Sequence, residues 1–400
     1  MGQAKLHALG RNLKFFVTPE STLGTYVALG DPASSTTRGM RVLSSSMEFG
    51  QERVDRADAR GDTRSLKERI TRRLECTYSV ESYLLPNSAA GSSPDADLLF
   101  EAGFGAGASG SFTAGPISPA QSGYRYTLTS TQAMPSVVIT REASGVVQER
   151  MRGCYVNELT ITGSGADEPK VSFSGTGIDM VTVGRSTVAT TDSATTTVVA
   201  ASGEGAMFGT PSADFPVQID IGADTNNTCT GVSTDTLTLN AAIDVASGEV
   251  IKPFSPALGD SGSPINGVSG SIVVEGTISA MPVTAFDITV NNNTKAINDE
   301  AFTNKMTDFI PGFRSVTGNI TVRANRDQII ELNKRKTFPG RNTVVTLGET
   351  SGRCCVIEMP EVEFGFSALE IPEAEEATFT MPFTALRDSA DEDEIRITFF

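Results

Sequence analysis

The sequence predicts a mainly β chain, with two tandem β-units of the same element order, each carrying a short helix, and a small β-domain inserted between them. Three observations lead there. The chain is rich in Thr, Ser and Val, carries 38 Gly and lacks Trp, a mixture that suits short strands and tight turns better than helix bundles. Apolar residues recur mostly with period two, the spacing of a half-buried strand. The order of elements in the first part of the chain returns in the last. At 400 residues the chain exceeds what one core usually serves, so several domains are expected.

Residues 1–38 show little periodicity. Short apolar clusters at 13–17 and 25–29 sit among Gly, Pro, Ser and Thr, which reads as an extended arm laid over a neighbour. The first unit is expected over 39–180. Residues 73–83 alternate like a strand, and Pro94 followed by Asp95 and Asp97 signals a short helix with acids in its first turn. Strands are expected at 137–140, 155–161 and 170–174. Residues 181–268, dominated by Thr, Ala, Val and Asp, read as the inserted β-domain.

The second unit is expected over 269–400. A strand at 286–290 leads into a polar stretch ending near Gly312, then come a strand at 315–322 and a short helix at 327–332. Strands at 344–346, 354–357, 362–366 and 377–383 close the unit. Strand, long polar loop, strand, short helix and β-meander thus occur twice in the same order. Leu74–Tyr83 corresponds to Val316–Val322, Leu98–Phe100 to Ile329–Leu332, Val137–Thr140 to Val344–Thr346 and Val171–Ser174 to Thr378–Met381.

Several segments then resemble the tail tube proteins of long-tailed phages. They are Glu20–Thr25, Gly153–Gly163 with Lys170–Gly175, Val316–Val322, and the run from Ile357–Phe364 to Phe383–Leu386. The resemblance lies in their order over about three quarters of the chain; 181–268 stands outside it. It implies a structural virion protein of the phage tail, assembled in the host cytoplasm, with no catalysis and no cofactor or metal. Six sandwiches would form a ring around a closed inner barrel, and rings would stack into a tube that conducts DNA. Two sandwiches per chain give a trimer with pseudo-sixfold symmetry, with a true hexamer as the alternative. The implied partners are further copies of the chain, the tape measure, tail terminator and distal tail proteins, and double-stranded DNA passing without specific binding.

Two loops stand where the family's stacking loop would, near 50–70 and 291–312. The candidate inter-ring residues are Arg53, Asp55, Arg56, Asp58, Arg60, Asp62 and Arg64 in the first, and Asn293, Lys295, Asp299, Glu300 and Lys305 in the second. Arg and Asp alternate in the first loop, so it is either a solvated excursion or a surface that pairs with complementary charge on the next ring. Single exposed pairs contribute only about 0–1 kcal/mol, so repeated copies would have to act together.

The net charge of −16 argues against a protein that clamps DNA phosphates, and is compatible with a wall that DNA slides past. No stretch approaches the roughly 18 apolar residues of a membrane helix, and the N-terminus lacks the apolar region of a secretory signal. Five cysteines without CxxC spacing read as reduced thiols, not a disulfide frame or zinc site. Gly259–Pro264 has the form of a serine-protease nucleophile segment, but the only histidine is His7, so the segment reads as a linker. Gly103–Gly110 follows a helix instead of leading from a strand into one, which makes it a connector and not a phosphate loop. The acidic stretches 370–376 and 388–394 lack a calcium-loop pattern, and the Arg60-Gly-Asp62 and Asn-X-Thr triplets read as surface polarity. Two other functions stay open: a host-binding or decorative virion protein, and a serine hydrolase using Ser261.

Overall fold

The computed structural model describes residues 12–25, 27–30, 32, 36–55, 69–114, 117–128, 134–165, 167–212, 214–259, 262–274, 283–297, 305–324, 340–365, 369–370, 377–387 and 393–400. Strands make up 61% of the described residues and helix 4%, so the fold is mainly β. The first part comprises β1 (Leu13–Pro19), β2 (Arg38–Met40), β3 (Ser44–Asp55), β4 (Arg69–Tyr83), α1 (Asp97–Phe104), β5 (Gly107–Ala114), β6 (Ile117–Thr127), β7 (Val137–Ala143), β8 (Val147–Ser164), β9 (Lys170–Gly177) and β10 (Asp179–Val183). Two antiparallel layers result. One runs β2–β1–β7–β8–β10 and the other β3–β4–β9–β8.

β8 belongs to both layers. Its first half lies between β7 and β10, and its second half pairs with β9. The register slips by one residue between Val137↔Cys154 and Ile139↔Met151, and such a bulge bends a strand out of its sheet. α1 packs against both layers because Leu98, Leu99, Phe100 and Phe104 are all buried. Its Asp97 carboxylate accepts the Tyr126 hydroxyl at 2.5 Å, so neither polar group is left unpaired in the core. The Phe100 ring stands 5.1 Å from Tyr126, 5.3 Å from Phe173 and 5.6 Å from Phe399.

The second part is a smaller body: β11 (Ser186–Thr187), β12 (Asp192–Val199), β13 (Val217–Ile221), β14 (Asp224–Ser233), β15 (Thr236–Val245) and β16 (Val250–Pro253). Their order is β11–β16–β13–β14–β15–β12, and a bridge between Val188 and Ala200 joins the two ends, so the sheet closes on itself. Phe208, Val217, Ile219, Ile221, Leu237 and Ile251 lie in a core separate from the main one. Polar bonds tie this body to the first layer. Gln218 exchanges hydrogen bonds with both backbone groups of Leu29 and accepts from buried Arg150, while Lys14 donates to Ser255 and to the Pro256 carbonyl at 3.0 Å each.

The last part comprises β17 (Gly270–Val274), β18 (Val283–Asn291), β19 (Lys295–Ile297), β20 (Asp308–Ile310), β21 (Ser315–Arg323), β22 (Arg341–Leu347), β23 (Cys355–Phe364), β24 (Leu369–Glu370), β25 (Thr378–Leu386) and β26 (Arg396–Phe399). Its pairings follow those of the first part strand for strand. β17–β22–β23–β26 matches β1–β7–β8–β10, and β18–β21–β25–β23 matches β3–β4–β9–β8. The correspondence extends to single residues: Ser44↔Glu81 matches Ala285↔Thr321, and Tyr83↔Lys170 matches Arg323↔Thr378. The bulge at Val137 and Ile139 has its equivalent between Arg341↔Val362 and Thr343↔Met359.

The two parts join edge to edge, because β8 pairs with β18 over seven residues from Ser164↔Ala285 to Glu158↔Asn291. The hairpin β5–β6 also crosses over, adding β6 to β26. Residues of both parts therefore share one hydrophobic core.

Two local expectations change. Leu13–Pro19, expected within an extended arm, is a strand between β2 and β7, with Phe15, Phe16 and Val17 buried; apolar side chains on both faces need cover on both. Gly103–Gly110, expected as a connector, is the end of α1 followed by β5. Gly107 lies under the Tyr124 and Tyr126 rings, where an added Cβ would come within 2.2 Å of Tyr124, so the glycine permits the strand to pack there. The expected helix at 327–332, the Arg60–Asp62 triplet, His7 and Ser261 lie outside the described residues.

All five cysteines are buried and unpaired. Burial pushes the Cys76 thiol up to about 12 and Cys354 to about 11, and raises Cys154, Cys229 and Cys355 as well. Since the thiolate is the reactive form, a thiol reagent at neutral pH is expected to label none of the five in the folded protein and all five after denaturation. Phe100→Ala is expected to cost about 3–5 kcal/mol in urea unfolding, the range for a fully buried aromatic; an unchanged midpoint would contradict the packing described.

Candidate functional site

The joint between β8 and β18 makes one unbroken run of eight strands, β3–β4–β9–β8–β18–β21–β25–β23. Side chains alternate across it. One face buries Met47, Tyr78, Val80, Phe173, Leu159, Ile161, Ile288, Val290, Ile320, Met381 and Phe383 in the core. The opposite face is covered by none of the described elements and is polar along its width. A single register row reads Ser44, Glu81, Ser172, Thr160, Thr289, Thr317, Thr384 and Glu363.

Hydroxyls on this face bond across strands: Ser46 to Ser79 at 2.8 Å, Thr160 to Thr289 at 3.0 Å and Thr321 to Thr380 at 3.0 Å. Asn319 donates to the Asp287 carboxylate at 3.1 Å. The charged groups are mostly acidic, with Glu48, Glu81, Glu158, Asp287, Glu361 and Glu363 against Lys170 and Arg323. Lys170 lies 3.8 Å from Glu81, so one of the two cations is already offset.

At one end of this face two ribbons project. β3 and β4 continue past the last β9 pair, Cys76↔Gly177, as a two-stranded arm ending at Asp55↔Arg69. β19 and β20 form the second ribbon, between Lys295↔Ile310 and Ile297↔Asp308. Arg53 and Asp55 are exposed at the far end of the first arm, whereas Arg56, Asp58, Arg60, Asp62 and Arg64 lie outside the described residues. On the second, Lys295 is exposed, and Asn293 holds a positive φ of 47° while its amide donates to the Phe313 carbonyl at 2.6 Å. Asp299 and Glu300 lie outside the described residues. Lys305 is engaged within the chain, where it shares Asp179 with Arg152.

A groove of about 1030 Å³ separates the two ribbons, lined by Phe49, Arg72, Arg73, Tyr155, Lys295 and Met306 among others. Phe309 stacks on Tyr155 at 4.4 Å and anchors the second ribbon, while Phe313 beside it is 97% exposed. The sequence reading missed Arg72, Arg73, Ile310 and Phe313. The apolar cluster Phe309, Ile310 and Phe313 at the end of the polar stretch was the available signal. Among the described residues no group of three or more His, Cys, Asp or Glu side chains is placed to hold a metal ion, and no helix is long and apolar enough to cross a membrane.

Two segments that resembled tail tube proteins meet in space. The Glu20 carboxylate accepts hydrogen bonds from Gly24 N at 2.9 Å and Gly153 N at 2.8 Å, and from the Ser136 hydroxyl at 2.6 Å. Glu20–Thr25 is thereby fastened to the start of Gly153–Gly163, at the point where β8 changes layer.

No curated protein matches the chain significantly. A family model described as phage tail tube protein matches residues 10–226. The match spans β1 to β10 and runs on into β14, past residue 180, where the likeness had been expected to stop; residues 269–400 lie outside it. It covers more than half of the chain, and with the strand order and the tethered Glu20 segment it establishes that the chain belongs to the phage tail tube protein family.

Proposed function

We propose that three copies of this chain close into a ring of six similar units, that the eight-stranded faces together form the wall of a bore, and that rings stack into a tube through which double-stranded DNA passes. The observation that carries this reading is the strand-for-strand repeat of pairings between the two parts of the chain, taken as two copies of one tail-tube unit. A chain with two units reaches six with three copies, and closed rotational symmetry is the usual outcome for identical subunits. A ring of six chains is the alternative stoichiometry.

The polar face suits the inside of such a bore. DNA is retained when cations neutralise its phosphates and release counterions. A wall of paired hydroxyls and excess carboxylates offers little of that, so the duplex slides. The two ribbons leave the same end of the face and are the proposed contacts to the next ring, with Arg53, Asp55, Asn293, Lys295 and exposed Phe313 in position to take part. The other tail proteins would meet the first and last rings. The small closed barrel, with its own core, adds a body that the ring does not need, and a host-contact or decorative role for it is the second reading.

Purified protein is expected to form hollow rods or stacked rings in negative-stain images; a compact oligomer that never polymerises would contradict the reading. Wild-type rods are expected not to retain short DNA duplexes at about 50 mM salt. Rods of the triple variant Glu48→Lys, Glu158→Lys, Glu363→Lys should retain them and release them as salt rises to about 200 mM. Equal retention by both would show that these residues do not face the bore.

A further inference from the structure

The connection from β1 to β3 has no equal in the last part of the chain. It comprises residues 20–43, whereas only 275–282 lie between β17 and β18. It leaves the sheet and returns beside its starting point: Val17 pairs with Arg38, and the Thr18 and Thr37 hydroxyls meet at 3.2 Å. Backbone groups in the loop 20–37 have no strand ladder to satisfy them, so side chains must do it. Arg152 on β8 donates to the Gly24 carbonyl at 3.1 Å, and Arg150 donates to the Val27 carbonyl. The Leu29 N–H and carbonyl both bond to the Gln218 amide, which comes from β13 of the small barrel. Leu29, Gln218 and Arg150 are all buried, and Arg150 donates to the same Gln218 oxygen at 3.0 Å. Arg152 reaches the barrel segment too, through the Asp214 carbonyl at 2.9 Å and the Phe215 ring at 4.4 Å. The loop is therefore bonded both to β8 and to the barrel.

The foot of the same loop acts on β8 at the point where that strand changes layer. Arg152 and Gly153 fall in the register slip between Val137↔Cys154 and Ile139↔Met151, and Gly153 holds a φ of 62°. A bulge leaves backbone groups without a ladder partner, and glycine, the freest residue, does not hold a bend by itself. The equivalent slip on β23 falls at Pro360 and Glu361, where proline fixes its own φ at about −65°. The glycine bend needs an outside tie that the proline bend does not. The Glu20 carboxylate supplies it by accepting the Gly153 N–H at 2.8 Å.

We propose that the small barrel works as a clasp: through Gln218 it holds the loop 20–37 in place, and through Glu20 the loop fixes the bend of β8 into the eight-stranded face. Glu20 bonds to Gly24, Ser136 and Gly153, and Gln218 to Leu29, Arg150 and Asn226. The two positioning residues thus have no bonding partner in common among the described residues, and the loop between them carries the coupling. The clasp belongs to a single chain and does not depend on how copies assemble. It gives the barrel a task within its own chain, whatever it meets outside.

Amide hydrogen exchange on the full chain, read by mass spectrometry, tests the clasp. Gln218→Leu keeps most of the side-chain volume and removes the amide. It is expected to speed exchange by about tenfold in 27–30 and also in 151–155, with 237–245 in the barrel unchanged. Acceleration confined to 27–30 overturns the clasp. Glu20→Ala is expected to speed exchange in 151–155 by a similar factor. Because Arg150 touches Gln218 and lies close to the bend in sequence, a direct route that bypasses the loop must be told apart from the clasp. The double variant does so: with the loop as carrier, 151–155 exchanges no faster in Gln218→Leu/Glu20→Ala than in Glu20→Ala alone. Factors that multiply instead show two independent supports and overturn the proposal. If a variant loosens the barrel itself, so that 237–245 also exchanges quickly, the wild type decides. Its segments 27–30 and 151–155 are expected to open together, with one shared dependence on urea, and separate dependences overturn the clasp.

Discussion

An antiparallel sheet cannot end safely in water without something on its edge, and in this chain that constraint organises the rest. Inside the chain the solution is visible. β8 lies against β18 along seven residues, buries Ile161 and Ile288 between the two parts and merges two four-stranded layers into one continuous wall. β8 can do so because bulges near Cys154 and between Val156 and Glu158 turn it from one layer to the other. β23 carries the corresponding bulge at Val362 and ends in a short strand whose outer edge has no strand partner among the described residues. On the ring reading, a second copy of the chain completes what β18 completes inside the first.

The chemistry of the wall follows from its geometry. A strand with one face in a core presents every second residue to the other side, and here those residues are mainly Ser, Thr, Glu and Asp. Cross-strand hydroxyl pairs tie neighbouring strands together on this face, and the carboxylates outnumber the cations on it. The face thus carries part of the net charge of −16, which at the level of composition only argued against DNA clamping. The same face that keeps the sheet soluble before assembly would repel phosphates after it.

Much of this was legible in the sequence because period-two alternation is a direct consequence of strand geometry. β9, β18, β21 and β25 lie where alternation placed them, and the acids preceding Leu98 marked α1. Other elements were hidden for physical reasons. β1 carries Phe15, Phe16 and Val17 in succession, and a strand buried on both faces shows no alternation. β5 contains glycines that read as a connector, of which Gly107 lies beneath Tyr124 and Tyr126. Of the candidate contact residues, Arg53, Asp55 and Lys295 are exposed on the two ribbons. Lys305 is bound to Asp179, a partner more than a hundred residues away that no local pattern could supply. Phe313 and Ile310 were missed because a short apolar cluster broken by Pro311 and Gly312 carries no periodicity.

The central claim is that one polypeptide supplies two units of a closed wall. A density map of the assembled ring tests it most directly. The account predicts a continuous inner barrel built from eight strands of each of three chains, with three small barrels on its rim. A ring of six chains with six such bodies, or a chain whose second part lies away from the bore, would contradict it.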